Sequence, residues 1–333
     1  MTGTVRRRLA DLVVMLGGRP KRPTPQTVSA EAAALHAFEK TPAERLRRRE
    51  AIRAEEAEGR VSHRWRLRRW ASILLVNGLF VASYWVDLQL VEGALTASRV
   101  LGFHFADLNS SLQLMLAHGH VVLNLLIGLS TVLLLYLIFG GRSFCSWVCP
   151  YHLVSEIAEF LHLRLADRGL VEDHDLDRRL RPVMFVIFAS LAFASGYTLF
   201  EAISPVGILS RALIYGTGTG LLWIALLLIV EVVWSRRFWC RYVCPIGLTY
   251  GIVGSATPLR VVHDASKCLH EGKCRKVCLV PHVLQSTIMG RATDVRTPIG
   301  QDCTRCGMCI DVCPSDALRF EFAGITRQPE KKA

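Results

Sequence analysis

The spacing of the cysteines is the part of this sequence best suited to chemistry. Four of the eleven fall in Cys303-Thr-Arg-Cys306-Gly-Met-Cys309-Ile-Asp-Val-Cys313-Pro314. This Cys-x2-Cys-x2-Cys-x3-Cys-Pro spacing lets three close thiolates wrap one iron–sulfur cluster while the fourth reaches another. Zinc suits it poorly, because zinc sites favour paired Cys-x2-Cys units. Upstream, the run from Cys268 through Cys274 to Cys278 fits the same template, with Glu271 at the second cysteine position and Leu279 at the proline. If the two runs fold together with crossed ligands, one cluster takes Cys303, Cys306, Cys309 and Cys278. The other takes Cys268, Cys274 and Cys313, and its fourth corner stays open. Either Glu271 ligates the fourth iron or that iron is missing and the cluster is [3Fe–4S]. A carboxylate is a harder ligand than a thiolate, so iron held there is the more labile. His270 is a further candidate, and a run that holds no cluster is the bland alternative.

The remaining four cysteines form a repeat. Arg142 to Leu153 reads R-S-F-C-S-W-V-C-P-Y-H-L, and Arg237 to Leu248 reads R-F-W-C-R-Y-V-C-P-I-G-L, offset by 95 residues. Spacing of four sets Cys145 with Cys149, and Cys240 with Cys244, on one helix face each. Two such pairs supply four thiolates, enough for one more cluster. A redox dithiol and plain buried cysteines are the competing readings. The odd cysteine count argues against a secreted disulfide framework, and metal-binding thiolates need a reducing compartment.

These motifs hang on apolar segments at about 71–91, 119–139, 182–203 and 218–235. Each is the length of a bilayer-spanning helix. The chain is 51% hydrophobic yet 20% charged, so its apolar residues are segregated. The loop 92–118 holds only Arg99 and the loop 204–217 only Arg211, whereas 140–181 holds six arginines. That one-sided pattern predicts a multi-pass protein of the inner (plasma) membrane with both termini cytoplasmic. The net charge of +12 is concentrated in residues 1–70, with 17 Lys/Arg against 8 Asp/Glu, and reads as a cytoplasmic flank rather than a nucleic-acid surface. Residues 1–18 predict a short amphipathic helix on the membrane surface, residues 19–28 a loop, and residues 29–69 a charged helix. The expected fold is mainly α: a four-helix transmembrane bundle over 71–258, built from two hairpins, then a small α+β two-cluster unit over 259–322 and a tail from 323 to 333.

Two hairpins, each ending in Cys-x3-Cys-Pro and followed by a two-run ferredoxin segment, resemble the NapH/MauN group of ferredoxin-type membrane proteins over residues 70–322. Pro281-His-Val-Leu also resembles that group's Pro-Gln-Val-Leu stretch. The resemblance implies a quinol-oxidising electron carrier with two or three clusters, working with membrane lipids, the quinol pool and another redox subunit. A redox factor that matures a metalloenzyme, as the MauN side of the group suggests, is the rival reading, and an iron–sulfur sensor is a third. Quinol oxidation releases protons, which makes Asp87, Glu201 and Glu231, with His104, His118 and His120, candidate acceptors. Two departures stand out: the group keeps a cysteine where Glu271 stands, and residues 1–70 are longer than usual.

Overall fold

The computed structural model describes residues 2–58, 62–87 and 91–323, so residues 324–333 of the expected tail lie outside the described residues. The chain opens with α1 (Thr2–Met15), α2 (Ala30–Glu39), α3 (Pro42–Glu58) and α4 (Arg64–Trp85). A small antiparallel meander follows, β1 (Val91–Ala94), β2 (Ala97–Val100) and β3 (Phe103–Ala106). Its second turn is Leu101-Gly102, both at positive φ, the backbone that a tight two-residue hairpin requires. Asp107 then caps α5 (Leu108–His118), its carboxylate accepting from the N–H groups of Asn109 and Ser110 at 3.0 Å each.

The middle of the chain holds α6 (Leu123–Phe139), α7 (Ser143–Trp147), α8 (Pro150–Asp167), α9 (Leu180–Ser195), α10 (Leu199–Ile203), α11 (Pro205–Tyr215), α12 (Leu221–Val233), a π-helical turn at Trp239–Val243 and α13 (Ile246–Val253). The last unit is β4 (Leu259–Asp264), α14 (Lys273–Lys276), a 3-10 stretch at Pro281–Thr287, β5 (Arg296–Pro298), α15 (Met308–Asp311) and β6 (Leu318–Phe322). Its antiparallel sheet has the order β5-β4-β6.

The expected transmembrane bundle is not what forms. Among the described residues no helix is long and apolar enough to cross a membrane. At 1.5 Å per residue, α6 with 17 residues, α9 with 16 and α12 with 13 reach about 26, 24 and 20 Å, short of a hydrocarbon core of about 30 Å. A left-handed cap at Gly196 cuts the third apolar segment where the sequence suggested continuous helix, and the second becomes helical only from Leu123, after the left-handed cap of α5 at Gly119. The first segment is the longest, α4 at 22 residues, but Arg64, Arg66, Arg68 and Arg69 fill its opening turns. The fold is mainly helical with two small sheets, and the multi-pass inner-membrane placement with both termini cytoplasmic is corrected with it. The arginines of the 140–181 stretch, and those that follow α12, have other work. Arg142 and Arg181 bind Asp302, Arg237 binds Glu159, and Arg236 and Arg241 bind Asp173 and Asp175. These helices still turn apolar side chains outward, among them Leu75 on α4, Phe193 on α9 and Leu222 on α12.

Two hydrophobic cores result. One gathers α5 to α13 around Phe144, Tyr151, Trp239 and Tyr250; the other lies under β4 around Val261, Leu284 and Leu318. Cys240 packs against both. The helix α1 is held against the first by Arg178 and Arg181, which donate to the carbonyls of Gly18 at 2.7 Å and Met15 at 3.2 Å.

Candidate iron–sulfur centres

Each Cys-x3-Cys-Pro motif is a helical turn that runs into the start of the next helix. Cys145 sits in α7, and Cys149 is the cap of α8, whose first residue is Pro150. Cys240 sits in the π-helical turn, and Cys244 leads through Pro245 into α13. Proline suits the first turn of a helix because its missing N–H would have no partner there. Backbone N–H groups of Tyr151 and His152 donate to the Cys149 sulfur, and those of Ile246 and Gly247 donate to Cys244. Helix N-termini favour thiolates, so the repeat builds the same sulfur environment twice.

All four of these cysteines line one cavity, together with Arg142, His152, Trp239 and Leu279. Burial pushes the four thiols up, Cys244 to about 12, and repulsion among the sulfurs adds to it. A buried four-thiolate set therefore ionises with compensating cations, which the irons of a cluster supply. The donor set fits such a group: four soft ligands, N–H donors on two of them, and an apolar surround.

The cysteines of the two runs near the C-terminus lie close to one another. Cys278 lies near Cys306, Cys303 and Cys274, and Cys309 near Cys306, Cys303, Cys278 and Cys274. Cys274 lies near Cys268 and Cys313 as well. Among the described residues no three His, Cys, Asp or Glu side chains close on a single metal ion. Cluster thiolates each bind a different iron and so stand farther apart.

Glu271 sits in the run of Cys268 and Cys274 with its side chain largely buried. Its carboxylate faces Lys273 at 3.2 Å and, beyond it, Glu55 of α3. His270 donates its backbone N–H to the Cys268 sulfur at 3.4 Å, while its ring bridges Glu39 and the Thr287 carbonyl. Burial would raise the Cys268 thiol, but the neighbouring His263 and His270 hold it down at about 6.

Sequence reasoning missed the groups that join these centres. Asp302, buried one residue before Cys303, accepts from Arg142 at 2.8 Å, from Arg181 at 3.1 Å and from His282 at 2.9 Å. Ser146 donates to the Thr304 carbonyl at 2.6 Å and Trp147 to the Arg305 carbonyl at 3.0 Å, so the Cys303–Cys306 loop rests on α7. Arg237, the repeat partner of Arg142, binds Glu159 and His152 instead. The one available signal was the arginine three residues before the first cysteine in both repeats. The ionisable residues singled out as proton acceptors do not converge. Glu231 is buried under Tyr151 and Ser155, Glu201 pairs with Ser110, and Asp87, His118 and His120 lie on the surface.

Comparison with known proteins matches this arrangement. A family model described as a 4Fe-4S binding domain matches residues 121–166 and again 217–261, one Cys-x3-Cys-Pro motif in each, and a second model of that description matches residues 300–319. The methylamine utilization ferredoxin-type protein MauN of Methylorubrum extorquens is 33% identical over 84% of this chain and 98% of its own length. The chain belongs to the NapH/MauN family of ferredoxin-type proteins. The ferredoxin-type protein NapH of Escherichia coli is likewise 33% identical, over 77% of this chain and 89% of its own. A putative electron transport protein, YccM of Escherichia coli, is 27% identical over 70% of this chain and 64% of its own. No solved structure matches. As a member of this family the chain is an iron–sulfur electron-transfer protein that binds more than one 4Fe-4S cluster.

Proposed function

We propose that the chain relays electrons from a quinol donor to a partner redox protein through three neighbouring centres. Cys145, Cys149, Cys240 and Cys244 hold the first, Cys278, Cys303, Cys306 and Cys309 the second, and Cys268, Cys274 and Cys313 the third. The observation that carries this reading is the continuity between them. Leu279, next to Cys278, lines the cavity of the first centre, and Cys240 packs against the core that contains Cys309. Bound clusters supply one-electron redox chemistry. The chain's share is to hold the thiolates, donate N–H groups to the sulfurs of Cys149 and Cys244, and keep Arg142 beside Cys145, features that set cluster potentials. Quinol as the donor follows from the NapH resemblance, and a domain boundary near residue 258 follows from the separate core around β4.

The test is anaerobic reduction of the cluster-loaded full chain by a water-soluble quinol, followed by loss of visible cluster absorbance. Wild type is expected to bleach with quinol, and Cys145→Ser to bleach with dithionite but not with quinol. Reduction of wild type by dithionite alone, with quinol inert, would overturn the quinol reading and leave the donor to be a protein.

A further inference from the structure

The stretch from α2 to α3 had no function in the sequence, yet the structure lays it across the run that lacks a cysteine. Ser29 donates its N–H to the Thr293 carbonyl at 2.9 Å and its hydroxyl to Asp294 at 3.1 Å. His36 bonds the Ala292 carbonyl at 2.9 Å. Buried Glu39 accepts from His270 at 2.9 Å, within the loop that carries Cys268. Glu55 meets Lys273 at 3.2 Å, and Lys273 in turn holds Glu271, whose side chain is only 7% exposed. Acidic groups of the arm therefore meet His270 and Lys273, the two residues that flank Glu271 and its neighbour Gly272.

We propose that residues 29–58 are a built-in cover for the Cys268, Cys274 and Cys313 centre, and that Glu271 anchors this cover through Lys273 and Glu55 instead of ligating iron. The inference rests on the reading of those three cysteines as cluster ligands. It selects one of the two outcomes left open by the sequence: three thiolates and a [3Fe–4S] cluster. A corner without a thiolate is the point where water and oxidants reach a cluster, and the shell around a site controls that access. The cover lies over that loop, so a chain that gave up the fourth cysteine keeps the cluster enclosed by other means.

The experiment uses the anaerobically purified, cluster-loaded full chain, with Glu271→Gln, Glu55→Gln and the Glu39→Ala/Glu55→Ala double variant. Iron release to a ferrous chelator, electron paramagnetic resonance and trypsin cleavage within the arginine-rich stretch Arg45–Arg53 are measured in parallel. The oxidised wild type and Glu271→Gln are expected to show the same [3Fe–4S] signal. The double variant is expected to be cleaved faster and to release the irons of this centre about tenfold faster, with the other clusters unchanged, as local opening exposes what it covers. Conversion of a [4Fe–4S] signal in wild type to [3Fe–4S] in Glu271→Gln would show Glu271 to be a ligand and overturn the anchor role. Faster cleavage with iron release at the wild-type rate would overturn the cover. Unchanged cleavage in both the double variant and Glu55→Gln would show that these carboxylates do not hold the arm. Absence of any iron at this centre in wild type would refute the cluster reading instead, and the cleavage rates would still decide the anchoring.

Discussion

Replacing Asp302 by alanine removes a buried carboxylate that faces Arg142, Arg181 and His282 at 2.8 to 3.1 Å. Burial opposes its charge, yet Arg142, Arg181 and His282 hold its carboxyl well below the usual range, so it is ionised throughout the neutral region. The side chains of Arg142 and Arg181 are 1% and 4% exposed. Without Asp302 two guanidinium groups remain buried without their carboxylate partner. Breaking a buried pair from one side costs about 3–5 kcal/mol. For a chain of this length each kcal/mol moves the melting temperature by about 2 °C, so a fall of about 6–10 °C is expected. Asp302→Asn keeps an acceptor and loses only the charge, and about 1.5–3 kcal/mol is expected for it, the range of a hydrogen bond to a charged group. The Cys303 loop is held by the same residue, so iron content should fall with stability in both variants. Anaerobic unfolding followed by circular dichroism, with iron counted on the same samples, reads both quantities. An Asp302→Ala protein that melts with wild type and keeps its iron would refute the claim that this carboxylate ties the repeat to the cysteine run.

The two arginines of the repeat should differ in what they support. Arg237→Met leaves Glu159 and His152 without their guanidinium, and a loss of about 3 kcal/mol is expected in denaturant unfolding, only partly restored by Arg237→Lys, which lacks the planar fork. Cys145→Ser and Cys244→Ser should each lower iron by about four atoms per chain, with the signal of the Cys303 cluster unchanged; iron assay and paramagnetic resonance on the same preparation would tell, and loss of all clusters together would contradict separate centres. Gly141→Ala drives a methyl into the Tyr250 carbonyl and the Gly254 backbone, and a penalty of about 3 kcal/mol or failure to accumulate is expected, whereas the same change at Gly169, with no neighbouring atoms, should cost only its positive φ, about 1 kcal/mol. Tyr250→Phe removes the hydroxyl that donates to buried Asp107 at 3.0 Å, and about 1.5–3 kcal/mol of destabilisation is expected from thermal unfolding.

Ligand spacing was legible in the sequence because it is local. Three cysteines three residues apart must lie within seven residues of chain, and a proline after a cysteine cannot sit inside a helix, whatever surrounds them. The 95-residue repeat and the family followed from the same kind of information. Helix lengths did not. Apolar composition alone could not register that Gly119 and Gly196 adopt left-handed caps, or that the chain between the first two apolar segments folds as a meander and a helix. Arginine counts were read as a one-sided charge pattern, while in the folded protein those arginines are matched to particular carboxylates and carbonyls far along the chain. Which thiols share a centre is also a tertiary matter. Cys145 and Cys244 are separated by almost a hundred residues, and only the packing of α7 against α13 and the π-helical turn brings them to one cavity. The same holds for Glu271. Its position in the run suggested iron, and only the tertiary structure could bring the arm that carries Glu55 to the Lys273 that pairs with it.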